Sequence, residues 1–189
     1  MADALTEDKP PLIPVVRNVV EVALIVAWWL VLLQLIASGR LSEGWMSLII
    51  VLSCFIKTAF FGTENVQQLQ YAARRNVSHH HFLVWMAINM GQMVMSFAFD
   101  FYCLHRLNPT SFAGMSRELD PNEALFDCFY LSTLNFSFFG YSDIMPQTIA
   151  ARTINLTEIV IAFVTVIFLL SDFMSLKDSL ARENSKTTR

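Results

Sequence analysis

The chain has 189 residues and a formal net charge of −3, with 54% hydrophobic and only 15% charged residues. Such long apolar runs with so few charges are rare in a soluble domain of this length, and the charge balance gives no signal for a nucleic-acid partner. Three cysteines (Cys54, Cys103, Cys128) make no disulfide framework, although Cys103 and Cys128 both fall near one membrane face, where a minority pairing is conceivable in an oxidising compartment.

In chain order, residues 1–14 read as a tail. They are acidic and proline-bearing and lack the basic start and short apolar core of a secretory signal. Residues 15–63 read as a transmembrane hairpin whose apolar segments are 19–37 and 45–61, against roughly 20 residues needed to cross the hydrocarbon. The second segment is short and must tilt or use Trp45 and Lys57 as interfacial ends. Glu21 and Lys57 fall at similar depth, so an ion pair between them is expected, with Lys57 snorkelling alone as the alternative.

Residues 64–81 read as a linker. Val66, Leu69, Ala73 and Val77 share one helical face, with Gln67, Gln68, Arg74 and Arg75 largely elsewhere, which suits a short helix on a membrane surface. A coupling element acting on the next span is the sharper alternative. His79, His80 and His81 point in different directions on a helix and make a poor metal site, so a helix start or interfacial loop is expected, with a pH switch as the other choice. A third span covers residues 82–104, where Asn89, Gln92, Ser96 and Asp100 form a stripe that should face other helices rather than lipid. Met90, Met93 and Met95 read as packing residues. Residues 124–139 are too short and too polar to cross, and read as a re-entrant helix, which a bilayer tolerates only where protein buries it. A fourth span covers residues 154–173, and residues 176–189 form a second tail.

Lysine and arginine set the expected orientation. With the amino terminus inside, Lys9, Arg17, Lys57, Arg74, Arg75, Lys177, Arg182, Lys186 and Arg189 lie inside, against Arg40, Arg106, Arg117 and Arg152 outside, as the positive-inside rule requires. Both termini are then cytoplasmic, in a cell or inner membrane, and the re-entrant segment faces outward.

Asp120-Pro121-Asn122-Glu123 reads as a helix start, with an N-cap, a proline at the first position and a glutamate placed for a capping box. The helix it opens runs inward, and its C-terminal end carries roughly half a negative charge. Gly140 stands where the chain must turn back, and a positive φ is easiest there for glycine. Glu118, Asp120, Glu123, Asp127 and Asp143 form an acidic rim that raises local cation concentration, Asp143 being the strongest functional candidate among them. Glu158 lies inside the fourth span, where acids usually face protein, and is expected to hydrogen-bond the re-entrant helix from behind.

The run from Asp127 to Arg152 resembles the pore loop of the potassium-channel superfamily. Asp127, Tyr130 and Ser132 match the pore helix, and Phe138-Phe139-Gly140-Tyr141-Ser142-Asp143 stands at the filter where the family has Thr-Val-Gly-Tyr-Gly-Asp. Pro146, Thr148, Arg152 and Glu158 follow in family order. The resemblance covers residues 82–173 and implies an all-α multi-pass membrane protein: four transmembrane helices plus a re-entrant pore helix and filter loop, tetrameric around a central pore, in a pore domain of residues 82–175. It implies an ion path through Ser137, Phe138, Phe139, Gly140, Tyr141, Ser142 and Asp143, with filter support from Tyr130, Ser132, Asn135 and Glu158. Ala162 stands where the family often has a hinge glycine, and Asp172 near the inner mouth; both are gating candidates.

Phe138 replaces the threonine of the innermost ion site and offers no hydroxyl; four copies can form an apolar ring that gates by dewetting. Packing of Phe138 and Phe139 against the pore helix is the bland alternative. Ser142 replaces the second glycine and is disfavoured in a left-handed conformation. Weakened potassium selectivity is therefore expected, with potassium or sodium as permeant ion, no other cofactor, and a homotetramer and membrane lipid as partners. A non-conducting homologue with a regulatory or structural role is the alternative. No nucleophile–base pair, metal-ligand spacing or phosphate loop suggests an enzyme or a small-molecule substrate.

Overall fold

The computed structural model describes residues 12–75, 79–115, 120–139 and 143–187, and within these the side chains of 17–63, 67, 84–115, 120–139 and 143–170. Five helices dominate: α1 (Leu12–Ser38), α2 (Glu43–Arg75), α3 (His79–Leu107), α4 (Pro121–Phe136) and α5 (Ile149–Thr187). A 3₁₀ turn at Pro109–Ser111 follows α3, and the two-residue strands β1 (Phe112–Ala113) and β2 (Met145–Pro146) pair antiparallel.

α1 stops where Gly39 takes φ +60° and its N–H bonds back to the Ile36 carbonyl at 3.2 Å. That left-handed residue ends the helix, and α2 restarts after a short turn with Glu43 in its first turn, where an acid complements the helix dipole.

Among the described residues, three segments are long and apolar enough to cross a membrane: Arg17–Ser38, Glu43–Thr63 and Ile149–Leu170. The expected third span is also a helix, α3, and its polar stripe is turned inward: Asn89, Gln92, Ser96 and Asp100 are all buried. α3 is the central post, packed against α1, α2, α4 and α5, so the stripe faces protein as expected. Trp29 of α1 stacks on Phe99 of α3 with ring centroids 4.3 Å apart, and Gln92 Nε2 donates to the Asn18 carbonyl at 3.1 Å.

Two expectations for the hairpin need correction. Lys57 does not pair with Glu21 and does not snorkel. Its ammonium lies 2.6 Å from Asp100 Oδ1 of α3, while Glu21 pairs with Arg17 one helical turn away, at 3.4 Å. A charge this deep in an apolar span is stable only when paired, and the Lys57 stem is long enough to reach the acid on the central helix. Residues 64–75 are not a separate short helix, since α2 runs unbroken to Arg75, and His79 opens α3. Gly62 alone does not break α2, because an isolated glycine costs only about 1 kcal/mol in a helix. The side chains that would decide a surface-lying or coupling role for this stretch, and those of His79–His81, lie outside the described residues.

The end bearing the α1–α2 turn also carries the α3–α4 connection and the start of α5. Asn108 Nδ2 donates to Glu43 Oε1 at 2.5 Å, and the Gln147 N–H donates to the Ser111 carbonyl at 2.8 Å. Beside β1, Gly114 has φ +86°, and a Cβ there would lie 2.1 Å from the Asp143 carbonyl oxygen. Only glycine allows β1 and β2 to close at this point. This small strand pair did not emerge from the helical periodicity of the sequence. All three cysteines are free and buried, so Cys103 and Cys128 are unpaired.

Candidate ion-conduction site

α4 begins as its sequence dictates. Asp120 is the N-cap, its carboxylate accepts the Asn122 N–H at 3.3 Å, and Pro121 occupies the first helical position. One face of α4, made by Ala124, Cys128, Leu131, Ser132 and Phe136, is buried against α3 and α5. The opposite face is left open: Phe126, Phe129 and Tyr130 are 69%, 44% and 46% exposed. Tyr130 therefore stands apart from the network behind the loop.

That network centres on Glu158 of α5, which is fully buried. The Ser132 hydroxyl bonds Glu158 Oε1 and also lies 2.9 Å from the Val94 carbonyl of α3. Asn135 Nδ2 donates to Glu158 Oε2 at 2.7 Å and to Asn155 Oδ1 at 2.8 Å. One carboxyl thus ties the C-terminal end of α4 to α5, and Ser132 extends the tie to α3. The bond from behind expected of Glu158 is present. Asn155 and the Val94 carbonyl were not foreseen, although Asn155 lies three residues before Glu158, on the same side of a helix.

The end of α4 is a Schellman motif. The Phe139 N–H bonds to the Leu134 carbonyl and the Phe138 N–H to the Asn135 carbonyl, both at 3.2 Å, and Phe138 has φ +58°. Glycine usually fills that left-handed position. A phenylalanine there costs roughly 1–2 kcal/mol and is an outlier for a bulky residue. The positive φ expected at Gly140 falls outside the described residues; the left-handed turn at Phe138, two residues earlier, is an additional one that the sequence did not mark. The carbonyls of Thr133, Leu134 and Asn135 all accept bonds within this terminus, so the last turn is partly capped from inside the chain.

Ser137 forms the C-cap, with its hydroxyl donating to the Leu134 carbonyl at 3.2 Å. The Phe138 ring meets Phe163 of α5 edge-on at 6.2 Å. Phe139 is 77% exposed. Gly140, Tyr141 and Ser142 lie outside the described residues, and with them the expected carbonyl ladder and the serine's conformation. The described chain resumes at Asp143, which is exposed, and the buried Ile144 anchors the return. Arg152 Nε then donates to the Pro146 carbonyl at 3.2 Å, fixing the loop to the first turn of α5.

α5 separates into two faces. Ala151, Ile154, Glu158, Ile161, Ala162 and Thr165 are buried, while Leu156, Val160, Phe163, Ile167 and Leu170 are exposed. Ala162, the hinge candidate, sits on the buried face; the side chain of Asp172 lies outside the described residues. Near the start of the α3–α4 connection His105 is buried with no hydrogen-bond partner at Nδ1. Burial and the neighbouring Arg106 hold its imidazole below the ordinary histidine range, opposed by Asp127.

The arrangement offers a helix end backed by a buried hydrogen-bond network and an exposed apolar face on α5. Residues 93–177, somewhat under half of the chain, match the model of a family described as "Ion channel". No curated protein and no solved structure matches the chain. The matched stretch runs from the middle of α3 through α4, the loop and α5, and takes in the whole Ser132–Asn135–Glu158 network. Residues 93–177 are similar to a potassium-channel-type pore domain, and the chain is a multi-pass helical membrane protein.

Proposed function

We propose that four copies of the chain surround a central pore and conduct monovalent cations passively, with potassium preference weakened by Phe138 and Ser142. The observation that carries this reading is the uncovered front of α4. A helix of 16 residues that stops between spans leaves a non-helical loop at membrane depth. Bilayers tolerate such a loop only where protein or a water-filled path covers it, and one chain covers only the back. Copies of the chain around an axis supply both the missing protein and the water path. In that assembly α3 is the outer helix, α4 the pore helix, residues 137–143 the filter and α5 the inner helix, with both termini cytoplasmic. Native mass measurement of the purified protein tests the assembly: a tetramer is expected, and a monomer or dimer would sink the reading.

A silenced pore is the second reading, favoured by Phe138 lying at the foot of the loop against Phe163. Ion flux into liposomes separates the two. Native flux that pore substitutions abolish supports a channel. No native flux, with flux gained on Phe138→Thr plus Ser142→Gly, supports a regulatory or structural homologue.

A further inference from the structure

We propose that the cleft between α1 and α2 is a binding site for one acyl chain of a bilayer phospholipid. The two helices are consecutive and antiparallel, yet α1 packs on α3, and α2 on α5 and α3, rather than on each other. They part to leave a cleft of about 450 Å³, walled by Leu24, Ile25 and Trp28 from α1 and by Ile56, Phe60 and Phe61 from α2. That volume falls in the ordinary range for ligand sites, about 300–1,000 Å³. Every wall residue lies inside a membrane-crossing segment, Arg17–Ser38 or Glu43–Thr63. The medium at the mouth is therefore hydrocarbon, and what fills the cleft must be apolar.

The polar groups at the cleft point the same way. Glu21 is paired with Arg17, and the Lys57 ammonium is held by Asp100, so Lys57 offers the cleft only its aliphatic stem. The Ser53 hydroxyl is turned back to the Ile50 carbonyl at 2.9 Å. With both charges paired, recognition falls on a tail rather than a headgroup. Aromatic walls on both sides separate a seated chain from the freely exchanging lipid around the protein. The site also adjoins the pore domain, because the lysine whose stem forms part of its wall is anchored on α3. It does not depend on the conduction mechanism proposed above.

The test is lipid retention by the full-length protein, purified in detergent from phospholipid bilayers and measured by native mass spectrometry. About one phospholipid per subunit is expected. Ser53→Trp, which fills the cleft from α2, and Leu24→Trp, which fills it from α1, should each reduce retained lipid at least tenfold. Absence of retained lipid in the native protein, or equal retention in native and both filled variants, would overturn the proposal. So would a photoreactive residue at position 28 that cross-links to a second copy of the chain instead of to lipid.

Discussion

The two faces of α4 answer to different neighbours. The back is complete within one chain: its apolar residues are buried, and both Ser132 and Asn135 reach the Glu158 carboxyl. The front leaves Phe126, Phe129 and Tyr130 exposed among the described residues and ends in a bulky residue held at positive φ. A face satisfied internally sets where the helix stands. A face left open at membrane depth specifies what must come to it from outside.

The contrast breaks first at Glu158. Glu158→Ala takes one acceptor each from the buried Ser132 and the half-buried Asn135, at about 1–3 kcal/mol each. A loss of about 2–5 kcal/mol in denaturant or thermal unfolding in micelles is expected on that basis. Glu158→Gln keeps an acceptor oxygen and should lose less than half as much. Equal losses for the two would mean that the carboxylate charge, not the acceptor geometry, holds α4.

Gly114→Ala should follow in size. It adds a strain of roughly 1–2 kcal/mol at positive φ and a clash with the Asp143 backbone worth about 1–3 kcal/mol. The β1–β2 pair should open, and because Asp143 ends the loop, flux in liposomes should change even where the protein remains folded. Unaltered stability and flux would show that the strand pair does not position the loop.

The front face gives a smaller effect of a different kind. Phe126→Ser with Phe129→Ser removes aromatic contacts worth about 0.5–1.5 kcal/mol each. The monomer's helicity should hold while the native mass shifts from tetramer to smaller species. A double variant that remains tetrameric would show that copies meet elsewhere, the exposed stripe of α5 being the next surface to test.

Sequence alone made the back of α4 legible because its signals are local or periodic. Asp120 and Pro121 mark the helix start whatever surrounds them, and an acid inside an apolar span has few options but to face protein. The stripe on α3 was legible for the same reason. Lys57 was misassigned because residue counting gives depth along a straight helix but not which neighbour lies across from it; Asp100 was on the stripe, yet only packing brings α2 to it. The turn at Phe138 was not legible because glycine is the usual marker of positive φ, and the hydrogen bonds from Phe138 and Phe139 that close the helix depend on backbone geometry rather than residue type.

Phe138 tests the contrast most finely, because stability and conduction should part company there. Asn adopts the left-handed region more readily than phenylalanine, so Phe138→Asn should relieve roughly 1–2 kcal/mol of strain. It also forfeits the edge-on contact with Phe163, worth about 0.5–1.5 kcal/mol. The two nearly cancel, and unfolding should shift by no more than about 1 kcal/mol. In the pore proposed above, flux should respond far more, because an amide would replace an apolar ring beside the ion path and remove a barrier to wetting. A variant that loses stability clearly while flux stays unchanged would make Phe138 a packing residue. The front of α4 would then differ from the back only in exposure, not in purpose.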